Sequence, residues 1–363
     1  MMKSTSLAAT ILLTVLTIYH PVFATGTHGA NSIFEALHGH EEVLKVTLET
    51  DLDALEQLRN SKEKQAALFT YETETGQTDE LLINVKVRGR YRRKVCDFAP
   101  LMLKFPKKEL ERRGWSKHND LKLVTHCSGD AITSREAVLR EYLAYELYRE
   151  VSPYHYRVQL VKITYKDSKS NRSLKRWGIV IEDTDEMAER LGGTEVELMN
   201  CALAVTDIKA EALMSAYQLM IGNQDYDCNV CRNVKFVQPD NGGAIIPVPY
   251  DFDFTGLVNP SYGRPNPDYG ASNLLDRVNV SRMDSADLRA GIDRLFHFEQ
   301  QIIDRIGSFR ELNGNTRYDL KQYVGFFFNK EAIDALLTGA VLPFGEEVEP
   351  ILPAGVRASG IGK

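Results

Sequence analysis

The residues able to do chemistry are concentrated between Ile208 and Gly256. A polar loop carries Asp225, Asp227, Asn229 and Asn233, and a second acidic pair stands in Tyr250-Asp251-Phe252-Asp253-Phe254. Carboxylate and amide oxygens are ligands for a hard cation, and Mg²⁺ is usually held by one or two carboxylates with substrate phosphates completing its shell. An amide and an acid brought to one point would therefore serve a reaction on a phosphate-bearing substrate.

A hairpin is the element that must bring them there. Val234 to Val237 and Ala244 to Tyr250 read as strands, separated by Pro239-Asp240-Asn241-Gly242-Gly243, which is turn chemistry. Pairing symmetric about Gly242 sets Asn233 opposite Asp251, with Cβ atoms about 5 Å apart. Ahead of the hairpin, Leu213, Met214, Tyr217, Leu219, Met220 and Ile221 cluster on one side of a helix that Gly222 and Asn223 stop. That helix leaves Asp225 just past its end.

The chain of 363 residues can bury one large or two smaller cores, and its 43% hydrophobic and 26% charged content is that of a globular protein. A net charge of -6 gives no overall reason for a nucleic-acid or acidic-membrane partner. Residues 1–24 combine an early Lys3, an apolar stretch from Leu7 to Ile18 and a Val22-Phe23-Ala24 end. They read as a signal peptide; the alternative is an N-terminal anchor, for which the run is shorter than the roughly 20 residues of a span. The expected destination is secreted or periplasmic, with no stable membrane span after signal removal.

Export permits disulfides. Of five cysteines, Cys96 and Cys127 are expected to bridge two neighbouring strands. Cys228-Asn229-Val230-Cys231 has the spacing of a redox or zinc half-site, but no second half accompanies it.

Thr25 to Ser32 reads as a flexible start, and no specific role is expected of His28, His38 or His40. Strands are expected at Glu42 to Thr50, Leu81 to Val87, Leu101 to Phe105, Asp120 to Thr125, Val158 to Tyr165 and Trp177 to Ile181. Asp51 to Asn60 reads as a short helix and residues 61–80 as a polar lead. Arg90-Tyr91-Arg92-Arg93-Lys94 forms a basic turn suited to phosphate or an acidic substrate, or else a solvated hairpin tip. Lys122 lies between apolar neighbours and must be paired or snorkel outward. A helix from Thr133 to Glu150 opens with a capping box, Thr133 with Glu136, and Asp185 to Gly193 reads as a short helix and turn. Asn259 to Tyr269 reads as an ordered loop, Ser285 to Ile306 as one amphipathic helix and Tyr318 to Leu337 as one or two more. Residues 339–363 are Gly and Pro rich and are expected to fray.

Helix, Asp loop, Asn, hairpin, Asp is also the order of parts in the catalytic half of a protein kinase. The segments Gly222-Asn223-Gln224-Asp225, Arg232-Asn233-Val234-Lys235-Phe236 and Pro247 to Asn259 resemble the CotH-type secreted kinase-like families, distantly related to HipA-type kinases. The likeness runs from about Leu81 to about Asn259. Asn233 stands further from Asp225 than in the usual catalytic loop.

The resemblance implies an α+β, two-lobed protein-kinase-like fold. An antiparallel β-rich lobe would span residues 25–183, a mostly helical lobe 184–338 and a flexible tail 339–363. It also implies transfer of the ATP γ-phosphate to a hydroxyl on an exported protein or small molecule, with Mg²⁺ or Mn²⁺. Asp225 would orient or deprotonate the acceptor hydroxyl, Asn233 and Asp251 would ligate metal, and Asp253 would be a second ligand or its support. Asp227 fits either role. Lys122 would contact the nucleotide phosphates, held by Glu141, with Lys104 the competing lysine, and the loop at Arg88 and Gly89 would cover them. Two alternatives stay open: a non-catalytic pseudokinase-like envelope module with a structural metal, and a nucleotide-sugar glycosyltransferase using Asp251-Phe252-Asp253.

Overall fold

The computed structural model describes residues 31–38, 43–73 and 75–344. The expected signal peptide, His28, His40 and the chain beyond residue 344 lie outside them.

Seven strands close into a barrel: β1 Leu44–Thr50, β2 Gln65–Glu72, β3 Thr78–Val87, β4 Leu101–Lys104, β5 Asp120–Val124, β6 Val158–Asp167 and β7 Ser173–Ile181, in the order β1-β2-β3-β4-β5-β7-β6. Neighbours are antiparallel except at the seam, where β1 runs parallel to β6 from Leu44 opposite Val161 to Thr50 opposite Asp167. Alternation along the strands sends Phe69, Ile83, Val85, Leu103, Leu121 and Val161 inward to one core. A helix that the sequence pattern did not suggest, α1 Ile33–His38, adds Ile33, Phe34 and Leu37 to it, all fully buried.

The barrel overturns the expected two-lobed kinase-like architecture with a purely antiparallel first lobe. Closure removes the open edges that such a sheet would leave. It depends on β2, hidden in the polar-looking stretch 61–80, and on a parallel seam between strands more than a hundred residues apart.

The remaining helices are α2 Leu52–Gln57, α3 Arg92–Val95, α4 Lys107–Arg112, α5 Ala131–Val151, α6 Thr184–Arg190, α7 Ile208–Met220, α8 Ser285–Phe296, α9 Glu299–Ser308, α10 Gly314–Phe327 and α11 Lys330–Leu337. A second sheet, β10-β9-β8, is made of β8 Gly193–Val196, β9 Val234–Pro239 and β10 Ile246–Pro249. Barrel residues Val124, Leu160, Ile179 and Ile181 share a large core with α5, α7 and the C-terminal helices. The Cys96–Cys127 disulfide is formed and ties the C-terminus of α3 to the end of β5. Among the described residues no helix is long and apolar enough to cross a membrane.

Several local expectations change. Helix α5 is capped by Asp130, which accepts from Ile132 and Thr133 N–H. Glu136 instead accepts from Arg140 at 2.5 Å and from Thr316 at 2.9 Å. Helix α7 is buried on every side from Ala210 to Met220. Its polar members survive burial by pairing, Glu211 with Arg282 at 2.6 Å and Gln218 with Asn223 at 2.8 Å. Gly291 of α8 lets the two helices meet: a Cβ there would stand 2.2 Å from the Ala212 carbonyl oxygen.

The helix expected over Ser285 to Ile306 is two helices, broken at His297 and Phe298. The frayed tail expected from residue 339 begins later. Ala340 and Leu342 are buried, and Leu342 exchanges backbone hydrogen bonds with Arg277.

Candidate active site

Helix α7 ends where the sequence predicts. Gly222 takes φ +66°, and a Cβ on it would lie 2.2 Å from the Tyr323 hydroxyl, so the stop is set by both backbone and packing. The Asn223 side chain then accepts from the Asp225 N–H at 2.8 Å. From the far end of the loop, the Asn233 amide donates to the Asp225 carbonyl at 2.7 Å and to its carboxylate at 3.0 Å. Asp225 and Asn233 are thus one unit.

The hairpin register differs by one residue from the expected pairing. Val234 faces Pro249, and the Tyr250 N–H donates to the Asn233 carbonyl at 3.0 Å, so Tyr250 rather than Asp251 stands opposite Asn233. The pairing of Val237 with Ile246 centres the turn between Asn241 and Gly242. Turn length fixes register, and half a residue at the centre moves the partner by one.

Backbone twist brings Asp251 back toward the unit. Asn233 has φ +54° and Asp251 φ +61°, a region that residues with a side chain seldom occupy and that costs about 1–3 kcal/mol. The surroundings hold them there. The Asp251 N–H donates to the Tyr145 hydroxyl of α5 at 2.8 Å, and Phe252 beneath it is fully buried, edge-on to Tyr145 at 4.7 Å. The Asp251 carboxylate makes no hydrogen bond or ion pair to any described residue, yet its charge bears on Lys122, Arg92, Glu141 and Asp225.

Asp225 is half-buried, its side chain keeping 42% exposure. Partial loss of water raises its carboxyl above the usual aspartate value, and Asp251 adds to the rise while Arg232 and Asn233 oppose it. Asp227 is spent on loop geometry: its carboxylate accepts from the Asn229 N–H at 2.8 Å.

Asp253 is engaged elsewhere. Its carboxylate lies 3.7 Å from Arg92 and accepts from the Tyr262 hydroxyl at 3.2 Å. Burial first, then the charge of Asp251, pushes its carboxyl up to about 7. This makes it a support for the site rather than a free ligand.

The expected pair of Lys122 with Glu141 is not formed. Glu141 lies 3.6 Å from Arg92, and burial raises its carboxyl well above the glutamate range despite that cation. Lys122 donates to Thr184 Oγ1 at 2.9 Å and sits over the rings of Tyr156 and Tyr250, each just over 5 Å away. Burial, and then the charges of Arg88 and Lys235, push its ammonium down to about 8. Lys104, the competing lysine, is tied to Asp120 at 2.6 Å.

Both lysines line one cavity of about 600 Å³ between the β4–β5 edge and α6–β8, with Asp183, Thr184 and Glu195 on the opposite wall. Arg88 has no ion pair among the described residues, and its charge reaches Lys122, Glu141 and Tyr250. Gly89 follows at φ +87° and turns the chain into α3.

Arg92 is the residue the sequence did not single out. It is buried, donates to the Thr125 carbonyl at 2.6 Å and lies over the Tyr262 ring at 5.5 Å. Nothing in Arg90-Tyr91-Arg92-Arg93-Lys94 distinguishes it from its neighbours. The single turn of α3 turns it inward.

Among the described residues no three His, Cys, Asp or Glu side chains form a metal cage. The donors on hand are the unpaired Asp251 carboxylate and the Asn233 amide oxygen. Such a pair suits a hard cation only if substrate phosphates supply other ligands, the usual Mg²⁺ arrangement. The cavity is of the size that takes a small molecule. No family model matches the chain, and no curated protein is similar to it.

Proposed function

We propose that this chain is a metal-dependent phosphotransferase that moves the ATP γ-phosphate to a hydroxyl of an exported acceptor, as the CotH-type resemblance implies, on a barrel scaffold. The observation that carries it is Asp251. A carboxylate without a protein partner, fixed at φ +61° by Tyr145, faces a neighbourhood that also contains Lys122, Arg88 and Asp225. A half-buried carboxylate that no protein group engages is an oxygen donor open to a hard cation.

The cavity of about 600 Å³ beside Lys122 has the size for ATP. Lys122 and Arg88 offset phosphate charge, and the shared opposition of Lys122, Arg88 and Lys235 favours binding an anion. Asp251 and Asn233 would hold Mg²⁺ or Mn²⁺, which would supply positive charge to the phosphoryl oxygens. Asp225 takes the proton of the acceptor hydroxyl as the hydroxyl oxygen bonds to the γ-phosphorus and the bond from that phosphorus to the β,γ-bridging oxygen breaks, releasing ADP. Its raised carboxyl makes it a better base than an ordinary aspartate. Asn233 positions Asp225, and Tyr145 positions Asp251.

The two alternatives draw less support. A glycosyltransferase-type pair would use both Asp251 and Asp253, but Asp253 is held by Arg92 and Tyr262. A structural calcium site would call for a cluster of carboxylates, and the described residues form none. Incubation with γ-labelled ATP, Mg²⁺ and candidate exported proteins tests the proposal. Label should pass to an acceptor with the native chain and not with Asp225→Asn; equal labelling by both would refute it.

A further inference from the structure

The basic segment Arg90-Tyr91-Arg92-Arg93-Lys94 divides its cations. Arg92 turns inward to Glu141 and Asp253. Arg90, Arg93 and Lys94 make no ion pair to any described residue, and neither does Arg264 on the loop that follows the site. Tyr91 and Val95, on the same short element, stay 42% and 43% exposed. This surface is fastened to the site: the Tyr91 hydroxyl donates to the Tyr262 carbonyl at 3.4 Å, and its ring meets Phe254 edge-on at 5.3 Å. The whole chain, these cations included, carries a net charge of -6.

We infer that this surface docks the acceptor polypeptide through an acidic segment adjoining the phosphorylated hydroxyl; the inference rests on the phosphotransferase activity proposed above. Unpaired cations at the rim of a site favour an oppositely charged partner by steering and register more than by raw affinity. Tyr91 and Val95 supply apolar contact between them. The patch spans one helical turn and a loop residue, the reach of a short peptide. An extended polyanion such as duplex DNA or an anionic bilayer would meet the acidic remainder of the surface.

The test uses the full chain and three fluorescent peptides of equal length, each with one central Ser, flanked by Glu, Gln or Lys. Without nucleotide, anisotropy should rank the Glu-flanked peptide tightest, with binding falling as salt rises from about 50 to about 500 mM. The double variant Arg90→Glu with Lys94→Glu should weaken that binding about tenfold. In labelled transfer it should raise KM for the same peptide with kcat unchanged. Equal binding of the Gln or Lys peptide, indifference to the double variant, or tighter binding of phosphatidylglycerol vesicles or duplex DNA would overturn the inference. Selective binding of the Glu peptide without any phosphate transfer would keep the docking surface and remove the proposed activity instead.

Discussion

Arg92, and not Lys122, is the cation that faces Glu141: its Nη1 lies 3.6 Å from Glu141 Oε2 and 3.7 Å from Asp253 Oδ2. One guanidinium thus stands between two buried carboxyls. They belong to different parts of the chain, α5 and the segment after β10, so the cation fastens the barrel-side helix to the site. Lys122 is left free to meet an anion in the cavity.

Removing that cation should be expensive. Arg92→Met leaves Glu141 and Asp253 buried without it, and breaking a buried pair costs about 3–5 kcal/mol. Chemical denaturation should show a loss of that order, and Glu141→Gln in the Arg92→Met background should recover part of it. An Arg92→Met chain as stable as the native one would contradict the triad.

Asp253 gives a pH signature whose sign is fixed. Its folded carboxyl sits at about 7, above the unfolded aspartate value near 4. The folded state therefore holds the extra proton between about pH 4 and pH 7, and stability from this group falls as pH rises through that window. His38, His126 and His155, each lowered to about 4, act in the opposite direction. They cancel when native and Asp253→Asn chains are compared. The variant should gain stability relative to the native chain as pH rises from 4 to 7, and a difference independent of pH would refute the shift.

Tyr145→Phe removes only a hydroxyl. The Asp251 N–H then loses its acceptor at a half-buried position, at a cost of about 1–3 kcal/mol. Because the same hydrogen bond fixes Asp251, ATP binding should weaken more than stability alone explains. Unchanged ATP affinity would show that Asp251 is held by other means.

The Cys96–Cys127 bridge closes a loop with a sequence separation of 31. Loop-closure entropy predicts that Cys96→Ser with Cys127→Ser loses about 4 kcal/mol. The melting temperature of the double variant measures it directly, and reductant should change the native chain but not the variant.

What could be seen in the sequence was local. The α7 stop at Gly222, the hairpin and helix α5 are written in turn residues and periodicity. The hydrogen bonds that join Asn233 to Asp225 are not among those signals, because the same reading set Asn233 opposite Asp251. The register slipped by one because the turn centre depends on backbone geometry that Asn241-Gly242-Gly243 leaves open. Lys122 was matched to Glu141 by analogy, whereas the fold supplied a nearer cation in Arg92. The barrel itself depends on β1 meeting β6 in parallel. No short pattern encodes a pairing at that separation, and Ile33-Phe34 at the start of α1 was too brief a run to announce a core helix.

The most direct measurement is thermal denaturation with ATP and Mg²⁺ together, for the native chain and for Asp251→Ala. At a hundred times its dissociation constant the nucleotide should stabilise the native chain by about 2.7 kcal/mol, with little effect on Asp251→Ala. No shift with ATP and Mg²⁺, or the same shift in both chains, would contradict the assignment of Asp251 to a nucleotide-bound metal.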